Sequence, residues 1–201
     1  MTSAAAVSEV ERSDAGTLVI GGLKLGVITT VGVVIFALAS RSMGGIAETV
    51  VQSILIIVGG LVFSIMPALT VRCRSIDGVG WAMLMGLMGA LFFTVFDVIA
   101  LRPLDIYHWT WDEIGGGSGF WYIPIWWMGA AVLAALGGMI VVGDPERPLQ
   151  LTAARVVGFG LVAFGVIAVS GVLPANSAVM ALAISLGLAA DAAATMILKK
   201  G

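Results

Sequence analysis

Two aspartates lie inside long apolar stretches of the sequence, where a carboxylate is costly. Asp97 stands within ALFFTVFDVIAL and Asp191 within LGLAADAAATM. A charged side chain at the centre of a membrane-spanning helix costs about 2.5–3.5 kcal/mol on insertion scales, so both acids are expected to face the interior of a helical bundle. There a carboxylate relays a proton or a cation, holds the polar headgroup of a ligand, or fixes helix packing, and the sequence leaves these roles open.

The two acids are expected at different depths, with Asp97 near the outer end of its helix and Asp191 nearer the cytoplasm. The rise of 1.5 Å per helical residue separates them by roughly 10–15 Å along the membrane normal, which argues against a catalytic pair. Gln52, in the second apolar stretch, is a candidate hydrogen-bond partner for either acid, and the sequence does not fix the choice. The candidate ligand-binding residues are Gln52, Trp81, Asp97 and Asp191, and no catalytic residue is assigned.

One segment between the third and fourth apolar stretches concentrates the aromatic residues. The segment, RPLDIYHWTWDEIGGGSGFWYIPIWW, holds five of the six tryptophans, both tyrosines and the one histidine. Because tryptophan and tyrosine gather at membrane–water interfaces, it is predicted to be an aromatic loop on the outer side, or a flap hinged at its glycines. A single histidine among acids is weak support for metal binding, so no metal site is predicted. The aromatic-loop residues are His108, Trp109, Trp111, Trp121, Trp126 and Trp127.

The overall composition excludes a soluble protein. Of the 201 residues, 60% are hydrophobic and 11% are charged, whereas a soluble domain has about 25% charged residues. The net charge of −2 offers no basic surface for a nucleic acid. The single cysteine, Cys73, excludes a disulfide framework and a thiolate metal site. These features are typical of a multi-pass membrane protein.

Six apolar stretches are long enough to cross a membrane, since about 20 helical residues span the ~30 Å hydrocarbon layer. The predicted fold is an all-α, polytopic bundle of six transmembrane helices, with residues 1–16 as a short polar tail and residues 17–198 as one membrane domain. The last two helices are expected to form a hairpin around the short turn PANS. The predicted spans are 18–39, 49–71, 79–101, 121–143, 156–173 and 178–197.

The distribution of basic residues predicts that both termini are cytoplasmic. With six spans the termini share one side, and cytoplasmic loops carry an excess of Lys and Arg. Two basic residues, Arg41 and Arg102, fall on the side opposite the termini. We therefore expect a multi-pass protein of the cell (plasma) membrane. The eight basic residues on the side of the termini are Arg12, Lys24, Arg72, Arg74, Arg147, Arg155, Lys199 and Lys200.

Small residues recur at helical spacing on the third and fourth spans, where they allow helices to approach closely. Such faces pack helices within one chain or join one chain to another, and the sequence does not separate the two uses. The expected partners are membrane lipid and, through these faces, a second copy of the chain or another membrane protein. The small-residue faces comprise Ala82, Gly86, Ala90, Ala130, Ala134 and Gly138.

Three segments resemble the Insig family of small sterol-sensing membrane proteins. They are WWMGAAVLAALGG at 126–138, GDPERPL at 143–149 and ALAISLGLAAD at 181–191. Similar stretches in that family read as a double tryptophan entering an Ala/Gly-rich span, a Gly-acid-Pro cytosolic loop, and an SLGL span that ends near an aspartate. The resemblance implies six spans with cytosolic termini, a bundle around a lipid-filled cavity, no catalysis, and function through partner binding.

The motifs of common catalytic sites are missing from the sequence, which has no HExxH, GxSxG or Walker A motif. An apolar interior also suits a lipid better than a polar solute. The first hypothesis is a non-catalytic lipid- or sterol-binding protein with an apolar intramembrane cavity. It needs no cofactor, and its ligand is a lipid such as a diacylglycerol or a sterol-like molecule. Two alternatives stay open: an accessory subunit of a larger membrane complex, and an enzyme or transporter for an isoprenoid-like substrate that uses Asp97 as proton donor or carrier.

Overall fold

The computed structural model describes residues 11–106 and 122–199. Within these ranges the chain is helical, and six helices are long and apolar enough to cross a membrane. The all-α, multi-pass architecture predicted from the apolar stretches is therefore confirmed. The helices are α1 (Ala15–Ser42), α2 (Gly45–Val71), α3 (Ile76–Phe96) with a π-helical extension (Asp97–Leu101), α4 (Tyr122–Gly143), α5 (Leu149–Ser170) and α6 (Ser177–Leu198).

Helix α5 begins earlier than predicted, at Leu149 rather than at residue 156. Pro148, with a φ of −59°, is its N-cap, and the Pro148 carbonyl accepts a hydrogen bond from the Thr152 backbone N–H at 3.1 Å. Hydropathy places the boundary after Arg155 because a charged residue lowers the mean hydropathy, whereas the backbone continues as a helix through it. Arg155 therefore lies in the second turn of α5 and not in the preceding loop.

The helices run alternately up and down, and contacts between distant segments define the two ends of the bundle. At one end, Glu11 before α1 contacts Ser75 between α2 and α3, and Arg147 between α4 and α5 contacts Asp191 on α6. We call this the terminus end, because α1 begins there and α6 finishes there. The opposite end, the far end, holds the α1–α2 and α5–α6 turns and the residues that follow α3.

The small-residue faces of α3 and α4 pack against each other within one chain. A Cβ added at Gly86 would lie 2.5 Å from the Ala134 Cβ and 3.0 Å from the Ala130 carbonyl oxygen, so a larger side chain does not fit. Ala82, Ala130 and Ala134 are buried. Of the two uses that the sequence left open, these faces therefore serve packing within one chain.

Helix α5 lies at the edge of the bundle and packs chiefly on α6. The two helices touch closely, because a Cβ added at Gly187 would lie 2.5 Å from the Val156 carbonyl oxygen and 2.7 Å from the Gly160 nitrogen. The hairpin predicted for the last two spans is thus confirmed. Of the six described spans, α5 has the smallest buried share.

The core between the two ends consists of apolar side chains. One group joins α1, α2, α3 and α4 near the terminus end, and a second group joins α4, α5 and α6. Close packing rather than escape from water holds such helices together, since lipid tails are as apolar as the side chains. The first group is Leu18, Ala68, Val71, Cys73, Val79, Ala82, Met85 and Val142. The second is Ile140, Val156, Met180, Ile184, Leu188 and Ala192.

Candidate functional site

The terminus end of the bundle holds a buried ion-pair cluster centred on Asp191, whose side chain is 0% exposed. Asp191 Oδ2 lies 2.7 Å from Arg147 Nη1, and Oδ1 lies 2.7 Å from Arg155 Nε. Together with Asp144 and Thr195, which contact Arg147, these residues form the terminus-end cluster. The burial predicted for Asp191 is confirmed, and the arginines supply the compensation that a carboxylate out of water requires.

Arg147 is the fixed member of the cluster, with a side chain that is 2% exposed. Its Nε lies 3.1 Å from Asp144 Oδ2, and its Nη2 donates to Thr195 Oγ1 at 2.5 Å. Thr195 Oγ1 in turn donates to the Asp191 backbone carbonyl at 2.6 Å. All three guanidinium nitrogens of Arg147 therefore have a partner. These contacts attach the α4–α5 loop to α6.

Arg155 is the open member of the cluster, with a side chain that is 31% exposed. Its contact with Asp191 is an ion pair without a regular hydrogen bond, because no N–H is aligned with Asp191 Oδ1. The guanidinium also lies 6.0 Å from the centre of the Phe159 ring, at the limit of a cation–π contact. One buried carboxylate is thus shared by two arginines, of which Arg155 is held less firmly.

The far end holds the second buried acid, Asp97, which is 1% exposed and lies 3.1 Å from Arg102 Nε. In an α-helix, residues five positions apart point about 140° away from each other around the axis. The π-helical turn reduces this divergence, since the Arg102 backbone N–H donates to the Asp97 carbonyl at 3.0 Å. The ion pair therefore depends on a local widening of the helix.

The aromatic residues predicted for the outer loop belong in part to α4. Trp126 and Trp127 lie in that helix rather than in a loop. Trp127 Nε1 donates to Thr94 Oγ1 on α3 at 3.1 Å, and Trp126 packs edge-on against Phe93 with ring centres 6.4 Å apart. The remaining loop residues, His108, Trp109, Trp111 and Trp121, lie outside the described residues.

The four candidate ligand-binding residues do not come together in one site. Gln52 Nε2 donates to Ser40 Oγ at 2.8 Å and to Glu48 Oε1 at 2.9 Å, at the far end, and not to either intramembrane aspartate. Trp81 is partly buried against the apolar group near the terminus end. The two aspartates lie at opposite ends. The structure therefore contains two separate polar centres.

The N-terminal segment is tied to the α2–α3 turn by Glu11, a contact that no sequence pattern predicted. Glu11 Oε1 accepts from the backbone N–H groups of Arg74 and Ser75 at 2.5 and 2.6 Å, and Oε2 accepts from Ser75 Oγ at 2.9 Å. The N-cap residue of α3 is Ser75, whose side chain accepts from the Gly78 N–H. The Glu11 carboxylate adds to this cap, since a helix N-terminus favours negative charge. Burial raises the pKa of Glu11, but the hydrogen bonds outweigh burial and hold the pKa below its ordinary value.

Cys73 lies in the same turn and is buried. Burial, and then the negative charge of Glu11, raise the pKa of the Cys73 thiol to about 12. The thiolate is the nucleophilic form of cysteine, so a thiol with this pKa is inert at neutral pH. Cys73 is therefore a packing residue of the turn.

Replacing Glu11 with glutamine (Glu11→Gln) is expected to weaken the cap and to remove its pH dependence. Because the pKa of Glu11 is below the ordinary 4.5, the cap stabilises fully above that pH and is lost as the pH falls through the lower folded-state value. Hydrogen–deuterium exchange of the Arg74 and Ser75 amides, corrected for intrinsic rates, should be about tenfold faster in the variant at neutral pH. Glu146→Gln in the α4–α5 loop is the control. Equal exchange in wild type and Glu11→Gln would argue against the cap.

The polar groups at the two ends are suited to binding charge, and the partly exposed guanidinium of Arg155 is suited to an anion. In the ranges 11–106 and 122–199, no group of three or more His, Cys, Asp or Glu side chains is placed to hold a metal ion.

No family model, curated protein or solved structure matches the chain.

Proposed function

We propose that this protein is a non-catalytic membrane protein that binds a membrane lipid, as the resemblance to the Insig family implies. One observation carries the proposal: in the described residues the polar centres stand at opposite ends, and the core between them is apolar. Ser64, a buried polar residue on α2, hydrogen bonds to carbonyls of its own helix. A lipid needs one polar contact and an apolar remainder, whereas a polar solute needs polar groups along its whole path.

Both intramembrane acids are members of ion pairs, which favours a positioning role over proton transfer. Asp97 contacts Arg102, and Asp191 lies between two arginines. A general acid passes its proton to a group within hydrogen-bond reach, but a guanidinium has no acceptor for that proton. The geometry therefore favours a lipid-binding protein over an enzyme or transporter that uses Asp97.

We further propose that both termini are cytoplasmic and that the protein resides in the cell membrane, on the basis of the eight-to-two distribution of basic residues. The terminus end then faces the cytoplasmic leaflet, where anionic lipids concentrate. Arg147, Arg155 and Lys199 all lie at this end, and Lys199 Nζ donates to the Val142 carbonyl at 2.8 Å. A bound lipid is therefore expected to place its headgroup here.

Lipid extraction from protein purified in a mild detergent tests this function, with Asp97→Asn as the matched variant. We expect roughly one retained lipid per chain, of the same species in wild type and in Asp97→Asn, because the lipid is held by apolar contact with one polar anchor. An enzyme blocked at Asp97 would accumulate its substrate, so a different lipid on the variant would contradict the proposal. Wild-type protein that retains no lipid would also contradict it.

A further inference from the structure

Arg155, the partly exposed arginine of the terminus-end cluster, lies in a stripe of exposed apolar side chains on α5. Spacings of three and four residues place these side chains on one face of the helix with Arg155. An exposed apolar stripe on a membrane-spanning helix contacts acyl chains, so Arg155 is a cation at the edge of a lipid-facing surface. The stripe consists of Leu151 (50% exposed), Phe159 (40%), Val162 (66%) and Val166 (64%).

Within the cluster as the structure describes it, Arg155 is engaged through its Nε alone. Arg147 pairs with Asp191 at 2.7 Å and also contacts Asp144 at 3.1 Å. The two carboxylates and the two guanidiniums of the cluster therefore balance in formal charge. Arg155 touches the other oxygen of Asp191 without an aligned hydrogen bond. In the described part of the chain, neither Nη of Arg155 has a hydrogen-bond partner. The exposed side of the guanidinium therefore retains N–H donors for an anion.

We propose that the terminal nitrogens of Arg155 bind the phosphate of an anionic phospholipid, whose acyl chain lies along the α5 stripe. This site rests on the lipid-binding function proposed above and names its ligand class. A guanidinium presents parallel N–H donors that match two phosphate oxygens, and it is less strongly hydrated than an ammonium group. Asp191 holds the Nε side of the guanidinium, which leaves the opposite side directed at the ligand.

The position of Arg155 along α5 matches the depth of a phosphate group. Arg155 follows Leu149, the first residue of α5, by six positions, or about 9 Å along the helix axis, and a long basic side chain near a helix end reaches back to the interface. Because α5 packs chiefly on α6 at the bundle edge, a lipid reaches this face without entering the bundle. A soluble phosphate would contact the guanidinium but not the apolar stripe.

Native mass spectrometry of delipidated protein tests the site by titration with phosphatidylglycerol, phosphatidylcholine or inorganic phosphate. We expect wild type to bind phosphatidylglycerol about tenfold more tightly than phosphatidylcholine, and Arg155→Gln to lose that preference. Arg74→Gln removes an exposed arginine at the same end and should behave as wild type. Arg155→Lys keeps the positive charge but lacks the parallel N–H donors of a guanidinium, so it should keep part of the preference for phosphatidylglycerol. This variant decides the matter if Arg155→Gln does not fold.

The proposal is overturned if the preference survives in Arg155→Gln or, where that variant does not fold, survives undiminished in Arg155→Lys. Displacement of bound phosphatidylglycerol by an equal concentration of inorganic phosphate would also overturn it, because the stripe would then contribute nothing. Protein that retains lipid on extraction but shows no dependence on Arg155 contradicts this site alone. Protein that retains no lipid contradicts the lipid-binding function as well.

Discussion

Replacing Asp191 with alanine (Asp191→Ala) is expected to destabilise the bundle by about 3–5 kcal/mol, because it removes the buried carboxylate that pairs with Arg147. The buried charge of Arg147 is affected most, since its side chain is 2% exposed and cannot reach water. Its remaining contacts are Asp144, which is 47% exposed, and the uncharged Thr195. The free energy of unfolding, measured by equilibrium denaturation in mixed micelles, should fall by this amount.

The double variant Arg147→Met/Asp191→Leu is the control. It separates the cost of an unpaired buried charge from the cost of lost side-chain packing. Replacing a buried ion pair by apolar side chains of similar volume is often neutral or stabilising. We therefore expect the double variant to recover most of the stability that Asp191→Ala loses. Wild-type stability of the single variant would contradict the structural role of the ion pair, and so would a double variant that is as unstable as the single one.

Replacing Gly137 with alanine (Gly137→Ala) is expected to cost about 3 kcal/mol, at the upper end of ordinary overpacking. A Cβ at this position on α4 would overlap the Ser64 carbonyl oxygen on α2 and lie 2.5 Å from the Ser64 carbonyl carbon. These are backbone atoms, so the clash is relieved only when α2 and α4 separate. The same unfolding measurement should report the loss.

Gly129→Ala is the matched control on the same helix. A Cβ added at Gly129 meets nothing within 4 Å, and alanine is favoured over glycine in a helix interior by about 0.5–1 kcal/mol. This variant should therefore be neutral or slightly more stable than wild type. Equal shifts for Gly129→Ala and Gly137→Ala would mean that the α2–α4 contact at Ser64 is not as close as the structure has it.

The number and order of the membrane spans were predictable, because mean hydropathy reports directly on apolar length. The helix ends were less predictable, because local capping sets them. Helix α1 begins at Ala15, ahead of the apolar stretch, since the Asp14 side chain accepts a hydrogen bond from the Thr17 N–H at 2.8 Å. Helix α5 begins early for a related reason, because Pro148 starts a helix that hydropathy does not detect across Arg155.

The burial of the intramembrane aspartates was predictable from the cost of a carboxylate in lipid, but their partners were not. Arg147 is separated from Asp191 by 44 positions, and its charge is equally typical of any cytoplasmic loop. Arg102 lies five positions after Asp97, a spacing that an α-helix places on different faces, so only the π-helical turn makes the two residues neighbours. Gln52 was an open candidate for either acid, but its amide donates to Ser40 and Glu48 in the α1–α2 hairpin.

Photo-crosslinking tests most directly whether a membrane lipid occupies the terminus end of α5. The protein is reconstituted with a phosphatidylglycerol analogue that carries a diazirine near its glycerol backbone, and the labelled peptides are identified by mass spectrometry. We predict that labelling concentrates on residues 149–162 and falls about tenfold in Arg155→Gln, while labelling of α1 stays constant. Labelling spread evenly over the described spans, and unchanged in Arg155→Gln, would contradict lipid binding at this site.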